Sequence, residues 1–265
     1  MTQPDLSAPD LGVTLDGHVA VIEIQRPPNN FLDVDLIANI ATLLERLDEV
    51  TECRAIVLAA AGKHFCAGGN LKQRLEVEAQ GKKFVAATRH VYKEARRLVA
   101  TRKPIIAAVQ GSAIGAGLGL AVVADFRVTC KEARFAANFN SIGFFPGFGL
   151  TLTLPRLIGH QNARWLFFTG KRIPGDEAVA MGLADRLVDQ EQVRAVAIEM
   201  ANEIAKCAPL SVQATREVLN VDFQTAFRAA TERESFEQNW LRETQDYKEG
   251  VQASTDRRDA NFTGS

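Results

Sequence analysis

The sequence predicts an α/β fold: a core of repeated ββα units followed by a helical C-terminal region. Three observations carry this expectation. A strand–turn–strand signal at Val13–Gln25 leads into a helix-periodic stretch from Asp33 and then the apolar run CRAIVLAAAG. A second apolar run, Ile105–Val109, passes through a glycine-rich turn into an apolar helix. Beyond Leu150 no convincing strand pattern returns except briefly near Leu187.

Taken in order, the leader MTQPDLSAPD, residues 1–10, reads as flexible, without the basic and apolar blocks of a signal peptide. Val13–Leu15 and His18–Gln25 flank Asp16-Gly17, a preferred two-residue hairpin turn. RPPNN ends the second strand, because proline cannot donate to a ladder. Asp33 is a plausible N-cap for a helix burying Leu36, Ile37, Ile40, Leu44 and Leu47, which recur at helical spacing. The order strand, helix, strand predicts a right-handed crossover. A charged helical stretch covers Lys82–Ala100, and the helix after the second glycine turn is expected over Leu118–Ala124. FRVTCKEARFAAN reads as two short strands about a turn at Lys131–Glu132. Helices are expected at Gln190–Lys206, Ser211–Leu219 and Asp222–Arg242, so the core spans 11–190 and the helical region 191–265, with no linker between them.

Composition narrows the function classes. The formal net charge is −1, with no basic run, which excludes a nucleic-acid footprint. Cys53, Cys66, Cys130 and Cys207 are scattered, without Cys-x-x-Cys or histidine at ligand spacing, so reduced thiols in a cytoplasmic protein are expected and no metal site. Ile105–Ala124 carries no charge and is long enough to span a membrane, yet Pro104 opens it and turn residues from Gln110 onward interrupt it. A buried strand, tight turn and buried helix explain it better than a membrane span.

The turn in AIGAGLGLAVVADF does not fit a dinucleotide loop: its glycines run Gly115-x-Gly117-x-Gly119, with no suitably placed acid after them. The Gly-Lys-Ser/Thr of a P-loop is also absent. Two readings remain. Unpaired N–H groups at a helix start could hold an oxygen that turns negative during reaction, or the small residues simply allow close packing. GKHFCAGGNLK repeats the arrangement after another buried strand, and two such loops could aim one N–H each at one oxygen.

HFCAGGNLK and KPIIAAVQGSAIGAGLGLAVVADF resemble the two signature segments of the crotonase superfamily, the enoyl-CoA hydratase/isomerase family. FTGKRIPGDEAVAMGLADRLV and DYKEGVQASTDRRDANFTG extend the resemblance over nearly the whole chain. It implies a crotonase-like spiral of ββα units and a C-terminal helical region that takes part in oligomerisation, with homotrimers often paired into hexamers. It also implies an acyl-CoA or enoyl-CoA substrate, with no cofactor beyond the coenzyme A the substrate carries. Matched by motif, the backbone N–H groups of Gly69 and Ala116 form the oxyanion hole. Arg26, Asn70, Leu71 and Lys72 lie along the CoA nucleotide, Ile114, Gly115 and Phe139 lie against the substrate, and Arg257 or Arg258 reaches a neighbour's phosphates.

The family's hydratases use two glutamates, which fall by position at Gly119 and Phe139. A third anchor point, an aspartate in other members, falls at Gly147. None of the three can exchange a proton, so ordinary hydration is not expected and isomerase-type or other enolate chemistry is favoured. Tyr92, Asn138 and Asn140 are candidates for a proton relay, though a helix-surface place for Tyr92 is favoured, and amides are poor bases. Asn70 and Ser141 add polarity, while His64, His90, Glu76 and Glu78 read as solvated. Phe139, Phe144, Phe145 and Phe148 suggest an apolar acyl pocket. The alternative function is a non-catalytic acyl-CoA-binding protein.

Overall fold

The computed structural model describes residues 5–73, 76 and 85–265, with residues 85–90 described in backbone only. The expected hairpin is present: β1 (Leu11–Asp16) pairs antiparallel with β2 (Val19–Ile24), and Gly17 takes φ +55 in the turn. Positive φ at that point is what makes Asp-Gly suitable for a right-twisted hairpin. The second half of the expected leader makes specific contacts: Arg46 Nη1 donates to the carbonyls of Asp5 and Ser7, and Asp10 pairs with Arg26. Residues 1–4 lie outside the described residues.

Helix α1 (Val34–Asp48) begins where the Asp33 carboxylate accepts from the Leu36 N–H at 2.8 Å, and it buries the predicted apolar face. Next come β3 (Ala55–Ala60), α2 (Val85–Val99) and β4 (Ile105–Val109). Every residue of β3 and β4 is buried, as expected of parallel strands covered on both faces.

The short strand β5 (Ser112–Ile114) leads into α3 (Ala116–Val123). Helix α3 starts two residues before the predicted Leu118, because Gly115 at φ +56 turns the chain sharply enough for Ala116 to be its first residue. Strands β6 (Phe126–Thr129) and β7 (Arg134–Ala136) flank the expected turn, yet they do not pair with each other.

The remaining elements are α4 (Leu150–Thr169, broken by a kink at Gly159 with φ +75), β8 (Ile173–Pro174), α5 (Gly175–Ala180), β9 (Arg186–Leu187), α6 (Val193–Ala205), α7 (Pro209–Leu219), α8 (Phe223–Leu241) and α9 (Gln245–Asp256). Short 3-10 turns lie at Asn140–Ile142 and Gln190–Gln192. Strand β8 escapes the sequence reading because two residues, one of them proline, carry no periodicity.

A six-stranded sheet runs in the order β1-β2-β3-β4-β6-β9, parallel except at the hairpin. A three-stranded sheet runs β5-β7-β8. The chain crosses from one sheet to the other in the two residues Gln110-Gly111, where a Cβ at Gly111 would collide with the Lys63 carbonyl. This crossing brings the start of α3 beside the loop that leaves β3. Helix α8 of the C-terminal region folds back over α2 and α4. No helix among the described residues is long and apolar enough to cross a membrane.

Candidate active site

Backbone bonds join the two glycine loops. The Cys66 N–H donates to Ser112 O at 2.9 Å, and the Ile114 N–H donates to Cys66 O at 3.0 Å. Ala67 and Leu32 complete the frame, through Ala67 N–H to Asn29 O at 3.0 Å and Leu32 N–H to Gly68 O at 2.9 Å. Two glycines are required at the seam. A Cβ at Gly68 (φ +83) would lie 2.6 Å from Ile114 O and 3.8 Å from Ala116 N, and one at Gly117 would strike the Cys66 carbonyl.

The two loops open into one cleft of about 550 Å³, lined by Gly69 on one side and Ala116 on the other. Neither the Gly69 N–H nor the Ala116 N–H donates to a backbone or side-chain acceptor among the described residues. A half-buried amide without a partner is costly unless a ligand or water meets it. Ala116 is also the first residue of α3, so its N–H sits at the positive end of that helix.

The inner wall is apolar: Ile114, Phe139, Ile142, Phe144 and Phe148 line it. Phe148 is buried at φ +63, a left-handed conformation rare for a bulky residue. A Cβ at Gly119 would lie 2.7 Å from the Phe148 Cβ, so aromatic bulk occupies the space a side chain at 119 would need. At Gly147 the corresponding space holds the Tyr92 hydroxyl and Gln238 Nε2.

The far wall is polar. Tyr92 is buried, correcting the helix-surface expectation, and its phenol donates to Gln238 Oε1 at 2.8 Å. Gln238 Nε2 in turn donates to Phe145 O at 2.9 Å. Burial pushes the Tyr92 phenol above its ordinary pKa. The Arg242 guanidinium lies 5.1 Å from the Phe144 ring centroid and also lines the cleft.

Of the predicted substrate residues, Arg26, Asn70, Leu71, Ile114, Gly115 and Phe139 all line this cleft. Arg26 pairs with Asp10 and Asp33 at 2.7 and 2.6 Å, while Asn70 Oδ1 caps the turn that starts at Leu71 by accepting from the Gln73 N–H. Lys72 is exposed and outside the lining. Among the relay candidates Tyr92 and Asn138 reach the cleft, whereas Asn140 is exposed on the 3-10 turn and does not. Ser141 and Glu76 are exposed as well, and Arg258 is bound to Glu249 at 2.6 Å. His64 is half-buried and its imidazole pKa is pushed down, chiefly by burial. Glu78 and the His90 side chain lie outside the described residues. The only carboxylates lining the cleft among the described residues, Asp33 and Asp35, are exposed at its rim. No group of three potential metal-ligating side chains occurs among the described residues.

A sequence model of the family described as enoyl-CoA hydratase/isomerase matches residues 14–265. The chain belongs to the enoyl-CoA hydratase/isomerase family. Among its relatives, the short-chain-enoyl-CoA hydratase of Clostridium acetobutylicum is 33% identical over 246 residues, 92% of this chain and 93% of that protein. The crotonyl-CoA hydratase of Syntrophomonas wolfei is 32% identical over 247 residues, 92% and 94% of the two chains. In solved form, the enoyl-CoA hydratase/isomerase of Pseudoalteromonas atlantica T6c superposes with a TM-score of 0.85 at 28% identity, over 96% of this chain and all of that one. This is the crotonase fold expected from the two signature segments, and an acyl- or enoyl-CoA thioester substrate is consistent with membership of the family.

Three residues of this family member escaped the sequence reading: Glu234, Gln238 and Arg242, all on one face of α8 or at its end. A signal was available. The buried positions Phe227, Thr231, Glu234 and Gln238 recur at helical spacing, so polar residues occupy an inward-facing stripe.

Proposed function

We propose that the chain is an enzyme acting on an acyl- or enoyl-CoA thioester, and that Gly69 and Ala116 donate their backbone N–H groups to the thioester oxygen. The observation that carries this reading is the pair of amides left without protein acceptors at the mouths of two interlocked loops. As an enolate forms, negative charge moves onto that oxygen. Preorganised donors then strengthen without reorganising, each contributing about 3 kcal/mol to the transition state.

Proton transfer in this reading does not follow the two-glutamate scheme. Gly119, Phe139 and Gly147 offer no acid or base, and Phe148 occupies the room beside Gly119. Double-bond migration or another enolate reaction, with a proton moved by Tyr92, by Asn138-oriented water or by the substrate itself, fits better than ordinary hydration. No carboxylate among the described residues reaches the inner cleft, which also favours a second reading: an acyl-CoA-binding protein without turnover.

The compartment and assembly belong to the same proposal. Free Cys53, Cys66, Cys130 and Cys207 fit a reducing cytoplasm. Exposed Trp165, Phe168, Leu210, Leu219, Phe236 and Trp240 on α4, α7 and α8 support self-association as a homotrimer or homohexamer.

A panel of straight-chain, branched and aromatic acyl- and enoyl-CoAs, followed by mass spectrometry, tests the function. Turnover with double-bond migration supports the enzyme, binding without turnover supports the second reading, and no binding at all removes both. Brisk hydration of crotonyl-CoA would overturn the account of Gly119 and Phe139.

A further inference from the structure

Glu234 is fully buried on α8, away from the cleft lining, and the chemistry above does not use it. We infer that Glu234 is a positioning residue for the acyl pocket, holding the left-handed Phe148–Gly149 turn so that the Phe148 ring forms the wall beside Gly119. The inference rests on the proposed thioester reading only for what occupies the pocket.

Most of the contacts on this turn come from α8, while the Tyr92 phenol of α2 faces the Phe148 backbone from the other side. Glu234 Oε2 accepts from the Gly149 N–H at 2.8 Å, and Oε1 accepts from the Thr151 N–H at 3.0 Å and the Thr151 hydroxyl at 2.6 Å. Two turns earlier on α8, Phe227 fills the space where a Cβ at Gly149 would project. One turn later, Gln238 holds the Phe145 carbonyl. Residues 145–151 are therefore clamped at three levels, and the strained residue lies between the clamps. A non-glycine residue keeps φ near +63 only where its surroundings over-determine it. Burial pushes the Glu234 carboxyl up to about 7, opposed by the three donors. Once ionised, as pH rises past about 7, the group offers acceptors alone to these three donors.

Phe148 has no freedom to leave the wall while the turn is held, so α8 shapes the acyl pocket from outside it. The C-terminal region thereby acts on the site through the fold, whatever its part in assembly.

At pH 8, where the carboxyl is ionised, Glu234→Gln tests this directly, because its amide hydrogens would face donors that already point inward. Amide hydrogen exchange at Gly149 and Thr151 is expected to rise by roughly tenfold or more, with the amides of β2 and β3 unchanged. In parallel, the affinity ratio between bulky and short acyl-CoAs should shift while affinity for free CoA stays constant. Placing the substitution in a Phe148→Ala background should abolish that shift, since a merely destabilising change would add to it instead. Unaltered exchange at Gly149 and Thr151, or a shift that persists without the Phe148 ring, overturns the assignment. If Glu234→Gln fails to fold, Thr151→Val removes one hydroxyl and leaves the charge; faster exchange confined to the 147–151 segment is then expected, and its absence counts against the proposal. Should no CoA ester bind, the thioester reading falls, and the exchange measurement still decides the role of Glu234.

Discussion

The Tyr92 hydroxyl and the Gln238 side-chain amide meet at 2.8 Å across 146 residues of sequence, joining α2 to α8 along the wall of the cleft. Both groups fill the space beside Gly147, the third position at which the resemblance placed a carboxylate. The phenol is a hydrogen-bond donor whose proton is already committed, and burial makes it reluctant to ionise.

Tyr92→Phe separates two roles. Removing the hydroxyl leaves Gln238 Oε1 without its donor, at a cost of about 1–3 kcal/mol in stability by urea denaturation. A proton-transfer role adds a fall in kcat of about 100-fold or more on the best substrate of the panel. A change in KM with kcat preserved leaves the residue with a packing role only.

Ala116→Pro deletes one of the two unpartnered amides while keeping a residue tolerated at the first position of a helix. A fall in kcat of about 100- to 1,000-fold is expected, with circular dichroism unchanged. Full activity in the folded variant would remove Ala116 from the site chemistry.

Placing a glutamate at 119, where the resemblance sets one in the hydratases, should require a second change. Glu at position 119 places a Cβ 2.7 Å from that of Phe148, so Gly119→Glu alone is expected to lose about 1–3 kcal/mol. The pair Gly119→Glu with Phe148→Gly removes both that Cβ and the ring, and its loss of stability in thermal or urea unfolding should be smaller than the sum of the two single effects.

The Glu234 carboxyl makes stability depend on pH with a definite sign. Its folded-state pKa of about 7 lies above the ordinary 4.5, so its favourable contribution is present below about pH 4.5 and is lost as pH rises through 7. Wild-type stability should therefore fall relative to Glu234→Gln between pH 5 and 8, by up to about 3 kcal/mol. Equal pH slopes for the two proteins would contradict this shift.

The helix from Asp33 was legible because its cap and five apolar residues fall within a single short window, and the structure buries all five. The same holds for the Asp16-Gly17 hairpin and for both glycine loops. Tyr92 was not legible. Its neighbours on α2 are charged, and the partner that buries it arrives from α8. Phe148 reads as one more pocket aromatic in PGFG, and nothing local reveals that it stands in the left-handed region.

By itself, then, the sequence determined the alternation of strands and helices, the two glycine turns and the residue types at 119, 139 and 147. These depend on residue type, turn chemistry and periodicity over a few residues. Only the tertiary structure decided that β5 leaves the main sheet, that Phe148 takes the room beside Gly119, and that Glu234 and Gln238 on α8 bond the 145–151 segment of the cleft wall. Those relationships arise from which buried faces meet, and contacts between segments some 80 to 150 residues apart leave no periodic trace in either segment.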